Sequence, residues 1–446
     1  MRFRLFTLSM MIFAGIGGVL YGYDIGIITG AMLFIRQHIP MTDQQMSLLA
    51  GAVLGGGALA TLITGPLSDF FGRRKMILLA SVLFLIGVFL VVAAHQYWTL
   101  MLGRIVQGIG VGIVTIAVPL YIAESVPSEV RGRGVSVFQL LLTAGILLAS
   151  LVGLYFTPTG NWRGMFISAA VPGAILLIGC SFLGDSPRWL AMHNQWDKAL
   201  KVLRRTRTQA DAEKEIDLIR ESLSHRMDKK HPHHYLWQRR FMVPLGIVLA
   251  VAVLNQLTGI NSILQFSALI LKQSGLKSNL ADMLGSTLVT AVNFLVTLVV
   301  LSLVDKIGRR KLLTWGTAGI VISMIYTGFV YYLLPVSSLR GELLLIGIIA
   351  YILTYAMGPG VLVWLVLSEL LPSRIRSTGM AIGLFLNSLT STVLASVFLD
   401  IAHAFTFASV FWLCGGFTVI YFLIALRLIP ETKGKTLEEI ERIFET

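Results

Sequence analysis

The chain has 446 residues, of which 55% are hydrophobic and only 13% are charged. So much apolar surface excludes a water-soluble protein, because a soluble core of this size needs far fewer apolar residues. The formal net charge of +13 would suit a nucleic-acid-binding protein, but that interpretation fails if the basic residues lie on one side of a membrane.

Twelve apolar segments are predicted to be membrane-spanning helices. Each is long enough for the about 20 residues that a helix needs to cross a bilayer. Strands of a membrane barrel are excluded, because alternating segments of about ten residues are absent. The predicted spans are residues 5–33, 45–66, 76–95, 99–124, 134–156, 164–183, 242–271, 282–304, 312–334, 343–369, 377–399 and 405–428.

The basic residues orient these spans. With both termini in the cytoplasm, 30 of the 36 Lys and Arg residues fall in cytoplasmic segments, five fall outside, and Arg104 lies within a span. This asymmetry predicts a multi-pass protein of the cytoplasmic (inner) membrane that attracts anionic lipid and binds no nucleic acid. The first apolar segment lacks a small-residue cleavage pattern and is expected to be a retained span.

Two opposite charges are expected to meet inside the first half. Asp24 lies twelve residues before Arg36 at the outer end of the first span, or roughly 18 Å deep, and Arg104 lies roughly 9 Å deep on the fourth span. An aspartate beside an arginine stays ionised, and it takes up a proton more readily when the arginine moves away. The pair is therefore either a proton switch or a static salt bridge, and no third acid within the membrane is expected to compete.

Residues 184–240 are the only long polar stretch, and they divide the chain. The predicted units are a bundle over 1–183, a linker with short amphipathic helices over 184–240, a second bundle over 241–429 and a cytoplasmic tail over 430–446. The His231–His234 cluster is interpreted as solvated linker, and both cysteines lie in apolar spans, so that no metal site or disulfide is predicted.

Amide side chains are concentrated inside the spans. Buried amides need hydrogen-bond partners, and a neutral polyol supplies them, whereas an anion would call for more cations. For any single amide the alternative is a bond to a neighbouring helix. The candidate substrate-binding amides are Gln139, Asn255, Gln256, Asn261, Gln265, Asn293 and Asn387, with Gly259 expected to break the seventh span.

Trp364 is the remaining candidate for substrate binding. It follows Gly358-Pro359-Gly360, a helix break that is expected to act as a hinge, and it precedes Glu369 at the inner end of the tenth span. Its ring would either stack on the C–H face of a sugar or pack at the membrane interface.

Two motifs occur once in each half. Residues 69–75 (DFFGRRK) return as 305–311 (DKIGRRK), and the pattern Glu-x-x-Pro-Ser-x-x-Arg occurs at 124–131 and at 369–376. A repeat of half the chain length in an apolar protein predicts two pseudo-symmetric six-helix bundles. Glu124 and Glu369 lie at cytoplasmic span ends beside Arg131 and Arg376, and these two acids are expected to be parts of an inner gate.

With these features the chain resembles the sugar porter family of the major facilitator superfamily, which includes proton-coupled bacterial sugar symporters and animal glucose facilitators. The resemblance runs nearly end to end. Besides the repeated loops, it is carried by Gly22-Tyr23-Asp24, Gly103-Arg104, residues 119–124 (PLYIAE), Arg131-Gly132, residues 186–190 (SPRWL), Gln256-x-x-Gly259-Ile260-Asn261 and residues 430–434 (PETKG).

The resemblance implies an all-α major facilitator fold whose central site opens to one side of the membrane at a time. It implies that the amides and Trp364 bind sugar and that Asp24 and Arg104 couple transport to protons. It also implies a cytoplasmic gate of salt bridges that holds the outward-open state, made of Asp69, Arg73, Arg74, Glu124, Arg131, Asp305, Arg309, Arg310, Glu369 and Arg376. Where the family often has tryptophan the chain has Ser388, and where it often has two tyrosines the chain has Gln265-Phe266. These differences concern which sugar is carried.

The expected activity is import of a monosaccharide or related polyol by proton symport, carried out by a monomer that uses no cofactor. An uncoupled facilitator is the first alternative, and a sensor that signals through residues 184–240 is the second. A drug antiporter is disfavoured because the fifth span lacks the Gly-Pro-rich motif of such exporters. An enzyme is disfavoured because no nucleophile–base or metal cluster lies on one side of the membrane.

Overall fold

The computed structural model describes residues 2–126, 128–227, 239–276, 278–372, 375–433, 435, 439–440 and 443, with side chains except those of 2–9, 13–14, 128–136, 222–227, 239–240 and 377. Within these ranges the chain is helical and contains no strand. The expected all-α membrane fold is confirmed, since twelve segments are long and apolar enough to cross a bilayer.

Ten α-helices precede residue 228. They are α1 (Arg2–Ala31), α2 (Asp43–Phe71), α3 (Arg73–Val92), α4 (Tyr97–Ser125), α5 (Ser128–Phe156), α6 (Trp162–Ser168), α7 (Ala170–Ser181), α8 (Pro187–Met192), α9 (Trp196–Leu203) and α10 (Gln209–Met227), with two short 3-10 helices at Ile35–Gln37 and Thr157–Thr159.

Eight α-helices lie in the described residues from 239 onward. They are α11 (Arg239–Leu257), α12 (Ile260–Ser274), α13 (Asn279–Ile307), α14 (Arg309–Leu333), α15 (Ser338–Met357), α16 (Pro359–Leu370), α17 (Arg376–Ala404) and α18 (Phe407–Arg427).

Three spans consist of two helices each: α6 with α7, α11 with α12, and α15 with α16. The predicted break at Gly259 is confirmed, because this residue has φ 87°, a left-handed conformation that favours glycine. Gly358 separates α15 from α16, and a Cβ there would lie only 2.8 Å from the carbonyl oxygen of Leu312. Both breaks expose backbone groups in the middle of the second half.

Short helices of the linker pack beneath the first half. Trp189, Leu203 and Ile216, from α8, α9 and α10, belong to one small hydrophobic cluster. The buried Arg207 guanidinium donates hydrogen bonds of 3.2 Å to the carbonyl oxygens of Ser125 and Val126 at the end of α4. We call this side of the bundle the linker face and the opposite side the far face. His231–His234 lies outside the described residues.

The first half is held together by close helix packing. A Cβ on Gly22 of α1 would lie 1.8 Å from the carbonyl oxygen of Leu142 on α5, so that only glycine permits this approach. In the second half, Ile440 of the tail is buried in the same cluster as Leu312 and Tyr421. The tail therefore packs against the second half at this residue.

The two halves are joined at the far face. Ser47 Oγ on α2 accepts a hydrogen bond of 3.1 Å from the backbone N–H of Leu399 on α17. Thr29 Oγ1 on α1 donates to the carbonyl oxygen of Leu264 on α12, also at 3.1 Å. At the linker face, by contrast, the ion pairs between described residues each lie within one half. The halves are therefore closed together on the far face.

Candidate functional site

Asp24 and Arg104 form a buried ion pair between α1 and α4. Arg104 Nη1 lies 2.8 Å from Asp24 Oδ1, and both residues are fully buried. The same nitrogen donates to Gln107 Oε1 at 3.1 Å, and the guanidinium carbon lies 5.5 Å from the ring centre of Phe166. The expected meeting of the two charges is confirmed, while their part in proton coupling stays a prediction.

The pair is incompletely satisfied. Among the described residues, Asp24 Oδ2 and Arg104 Nε have no hydrogen-bond partner. A bare carboxylate oxygen in a buried site is costly, and protonation removes part of this cost. The geometry therefore leaves one oxygen of Asp24 able to receive a proton while the other remains with Arg104.

Four polar side chains of the second half form one hydrogen-bonded network. Gln256 Nε2 donates to Asn387 Oδ1 at 3.1 Å, and Asn261 Nδ2 donates to Gln256 Oε1 at 3.0 Å. Asn261 Nδ2 also donates to Ser391 Oγ at 2.8 Å. The broken span α11–α12 is thereby connected to α17, and three of the predicted binding residues lie together.

The other predicted amides lie outside this network. Gln139 Nε2 on α5 donates to the carbonyl oxygen of Gly360 at 3.3 Å and so links the halves. Asn255 is buried and donates weakly to the hydroxyl of Tyr355 at 3.5 Å. Gln265 is buried with a side-chain oxygen that has no partner in the described part of the chain, and Asn293 is buried on α13.

A cavity lies between the halves. Two of the eight predicted binding residues line it, Trp364 of α16 and Asn387 of α17, and none of the lining side chains is charged. Hydroxyl groups contribute much of its polarity. The lining residues are Tyr21, Val53, Leu54, Gly57, Thr61, Val111, Gly112, Thr115, Trp364, Leu384, Asn387 and Ser388.

At the linker face, Arg73 joins two acids of the first half. Its Nη2 lies 2.8 Å from Asp69 Oδ1, and its Nε lies 2.9 Å from Glu124 Oε2. Ser186, just before α8, donates to the same Glu124 oxygen. The short linker helices are thus bound to the charge cluster.

The second half repeats this cluster. Arg309 Nη1 lies 3.0 Å from Asp305 Oδ1, and Arg309 Nη2 lies 3.4 Å from Glu369 Oε1. Thr432 of the tail donates to Glu369 Oε2 at 2.5 Å. The internal repeat therefore extends to side-chain geometry. In each half, the glutamate accepts a hydrogen bond from a hydroxyl group in the segment that follows that half.

Comparison with known proteins assigns this architecture. Residues 10–444 match the model of a family described as "Sugar (and other) transporter". The chain belongs to this family. Within the major facilitator superfamily it is a sugar porter, with the twelve-helix fold of that group.

Several sugar porters match this one over nearly their full length. The galactose-proton symporter of Escherichia coli is 33% identical, with 98% of this chain and 94% of that protein covered. The glucose transporter GlcP of Staphylococcus epidermidis is 32% identical, with 97% and 96% covered. The inward-open structure of the xylose transporter XylE from E. coli superposes with a TM-score of 0.83 at 26% identity, covering 98% of this chain and 99% of that one.

The other predicted gate residues of this sugar porter have different partners. Arg74 donates to the carbonyl oxygens of Cys180 and Ser181 at the end of α7, at 3.1 and 2.7 Å. Arg310 likewise donates to the carbonyl oxygen of Leu426 at the end of α18. These arginines hold helix C-termini, where unpaired carbonyl groups favour cations.

The two gate glutamates pair with arginines of the repeated loops, Glu124 with Arg73 and Glu369 with Arg309. The expected neighbours of these glutamates, Arg131 and Arg376, stay a prediction. Arg376 Nε donates to the carbonyl oxygen of Leu371 at 3.1 Å. The side chain of Arg131 lies outside the described residues.

Sequence reasoning missed two polar residues of the sugar porter. Ser391 belongs to the amide network and was detectable as the residue one turn after Asn387 on α17. Asp282 is only 1% exposed in the first turn of α13, within a candidate span, and is a further buried acid. That no third acid competes for proton coupling stays a prediction. The position of Asp282 at the edge of the apolar segment made it resemble a surface residue.

Proposed function

We propose that this sugar porter imports an uncharged monosaccharide or related polyol together with a proton. The observation that carries the proposal is the position of the buried Asp24–Arg104 pair. It lies in the first half, which forms one wall of an uncharged cavity with polar side chains from both halves. Two compared proteins have names that join a sugar to a proton, the galactose-proton symporter and the proton:xylose symporter XylE.

The orientation is part of this proposal. With both termini in the cytoplasm, the linker face is cytoplasmic and carries 30 of the 36 basic residues, as expected for a protein of the cytoplasmic membrane. The far face is then external. Residues 1–183 and 241–429 would move as the two bundles, with 184–240 as the linker and 430–446 as the tail.

Transport follows from relative motion of these bundles. In the outward-open state the far-face contacts, such as Ser47 with Leu399, are broken. Asp24 is protonated and released from Arg104, and the sugar binds between the halves. Closure of the far face then restores the contacts seen here. Loss of the Asp24 proton to the cytoplasm allows the ion pair to form again.

The roles of the predicted residues stay as expected from the sequence. Asp24 and Arg104 couple the proton. The substrate-binding residues are Gln139, Asn255, Gln256, Asn261, Gln265, Asn293, Trp364 and Asn387. The cytoplasmic gate consists of Asp69, Arg73, Arg74, Glu124, Arg131, Asp305, Arg309, Arg310, Glu369 and Arg376.

The proposed transporter works as a monomer in contact with membrane lipid. It uses the proton gradient and needs no cofactor, and it catalyses no covalent reaction. The charged groups at the linker face are paired with one another and with backbone carbonyls. This pairing supports a role as a structural gate for these groups.

The test is a pH measurement in weakly buffered, de-energised proteoliposomes. Galactose, glucose, xylose and myo-inositol are added one at a time, and alkalinisation of the outer medium with one of them identifies the substrate and proton symport together. Entry of a labelled sugar without a pH change would make the protein an uncoupled facilitator. Binding without entry would make it a sensor.

A further inference from the structure

Three hydroxyl side chains of the first half line the central cavity. Tyr21 stands on α1, Thr61 on α2 and Thr115 on α4, facing a cavity whose other wall includes Trp364 and Asn387. None of the three is among the amides from which a binding site was predicted. They come from three helices of one bundle, so the wall that they form moves with that bundle.

The two threonines are hydrogen-bond acceptors in this cavity. Thr61 Oγ1 donates its proton to the carbonyl oxygen of Ala58 at 2.7 Å, and Thr115 Oγ1 donates to that of Val111 at 2.9 Å. A hydroxyl group has one proton and two lone pairs. With the proton committed to its own helix, each threonine can accept from a donor in the cavity. Tyr21 adds a hydroxyl without a hydrogen-bond partner among the described residues.

The two threonines lie toward the linker face, whereas Tyr21, nineteen residues after the start of α1 at Arg2 and ten before its end at Ala31, lies nearer the far face. Thr61 precedes the end of α2 at Phe71 by ten residues, and Thr115 precedes the end of α4 at Ser125 by ten, or about 15 Å each along the helix. Asn387 lies in the cavity wall and in the amide network, so it connects the two regions.

We infer that Tyr21, Thr61 and Thr115 form a second binding position for the transported polyol, the hydroxyl site, which extends from Asn387 toward the linker face along the two threonines. This inference rests on the proposed function and assigns a first-half wall to its site. A sugar hydroxyl donates to each threonine while the Trp364 ring covers the apolar face of the sugar. Sugar phosphates and sugar acids are excluded, because the lining offers no charged partner for an anion.

Valine substitutions test the hydroxyl site. Thr61→Val and Thr115→Val keep the branched shape and remove the acceptor. Uptake of labelled galactose, glucose or myo-inositol, whichever the wild type carries, is measured in inside-out and right-side-out vesicles. From the linker face the half-saturating concentration should rise about two- to tenfold for each variant, the effect of one net hydrogen bond. From the far face it should change less than twofold.

Thr64→Val is the matched control. Thr64 lies on the same helix, is fully buried and donates to the carbonyl oxygen of Ala60 at 2.7 Å, but it does not line the cavity. It should behave as wild type on both faces. Thr61→Ser, which keeps the hydroxyl, should also retain wild-type affinity, and this separates loss of the acceptor from a defect in folding.

The outcomes distinguish the inference from the proposed function. If the wild type carries sugar with a proton but Thr61→Val and Thr115→Val match Thr64→Val, the hydroxyl site is refuted and the transport function stands. An equal loss of affinity from both faces would also refute a separate position. Competition by glucose 6-phosphate from the linker face would refute the restriction to uncharged ligands. If the wild type carries none of the sugars, the proposed function itself fails.

Discussion

His403 and Asp43 join the two halves at the far face, with His403 Nε2 lying 3.0 Å from Asp43 Oδ2. Arg36 pairs with the other oxygen of the same carboxylate. One helical turn deeper, Ser47 binds the backbone of Leu399, so the contacts of α2 and α17 recur every four residues. This seam therefore closes the far face through both side-chain and backbone contacts.

The contact between His403 and Asp43 is expected to favour closure of the far face. His403→Gln should open the far face up to about fivefold more often, because exposed ion pairs contribute about 0.2–1 kcal/mol. The measurement is the labelling rate of Ser47→Cys in a variant without the buried Cys180 and Cys414.

This experiment is best made with Asp24→Asn, so that proton binding at Asp24 does not contribute. His95→Gln serves as the control, because His95 is exposed near the same face and forms no ion pair with a described residue. The contact would not favour closure if His403→Gln kept the wild-type labelling rate, or if His95→Gln raised this rate equally.

Asp24→Asn is expected to abolish accumulation of sugar against a gradient while exchange of internal for external sugar continues. Asparagine resembles a permanently protonated aspartate, so the halves can still move but no proton is carried. Labelled-sugar uptake with and without an imposed pH gradient measures both activities.

Asp282→Asn provides the comparison for this prediction, because Asp282 is also a buried acid but does not line the cavity. It should retain accumulation. Uphill uptake by Asp24→Asn would show that Asp24 is not needed for coupling. Loss of uphill uptake in both variants would show that coupling is not confined to one acid.

Gln256→Ala is expected to raise the half-saturating sugar concentration about five- to hundredfold. The substitution removes the partner of both Asn387 and Asn261, and an unpaired buried polar group costs about 1–3 kcal/mol. Uptake kinetics measure the effect. Gln273→Ala, an exposed amide at the end of α12, should keep wild-type kinetics. An unchanged sugar affinity in Gln256→Ala would show that the amide network does not contribute to sugar binding.

The sequence predicted features that depend on hydrophobic length and on rare residues. The spans follow from apolar runs, and the break at Gly259 follows from a flexible residue among amides. The meeting of Asp24 with Arg104 follows from the length of the arginine side chain, which bridges their difference in depth. In each case a single strong preference determines the local structure, and packing does not oppose it.

Other features depend on contacts between distant helices and could not be predicted. Thr61 and Thr115 bond to their own helices, as threonines do in any apolar span, and only the packing shows that they line a cavity. The Asp43–His403 contact exists because this structure is closed on the far face. A sequence encodes both states of a transporter and does not say which contacts are formed at one time.

The two charge clusters at the linker face should differ in their contribution to stability. In the first half, the Arg73 side chain is 4% exposed and that of Glu124 is 7% exposed, whereas Arg309 and Glu369 are 14% and 20% exposed. Removing one partner of a buried pair leaves an uncompensated charge, at a cost of about 3–5 kcal/mol, and the cost falls as water reaches the site. Glu124→Gln should therefore lower the unfolding temperature in detergent clearly more than Glu369→Gln does.

Asp217→Asn is the control. It breaks an exposed pair with Arg220 and should leave the unfolding temperature unchanged. Equal shifts for the two glutamates would mean that the bonds from Ser186 and Thr432, present in both clusters, determine stability in place of burial.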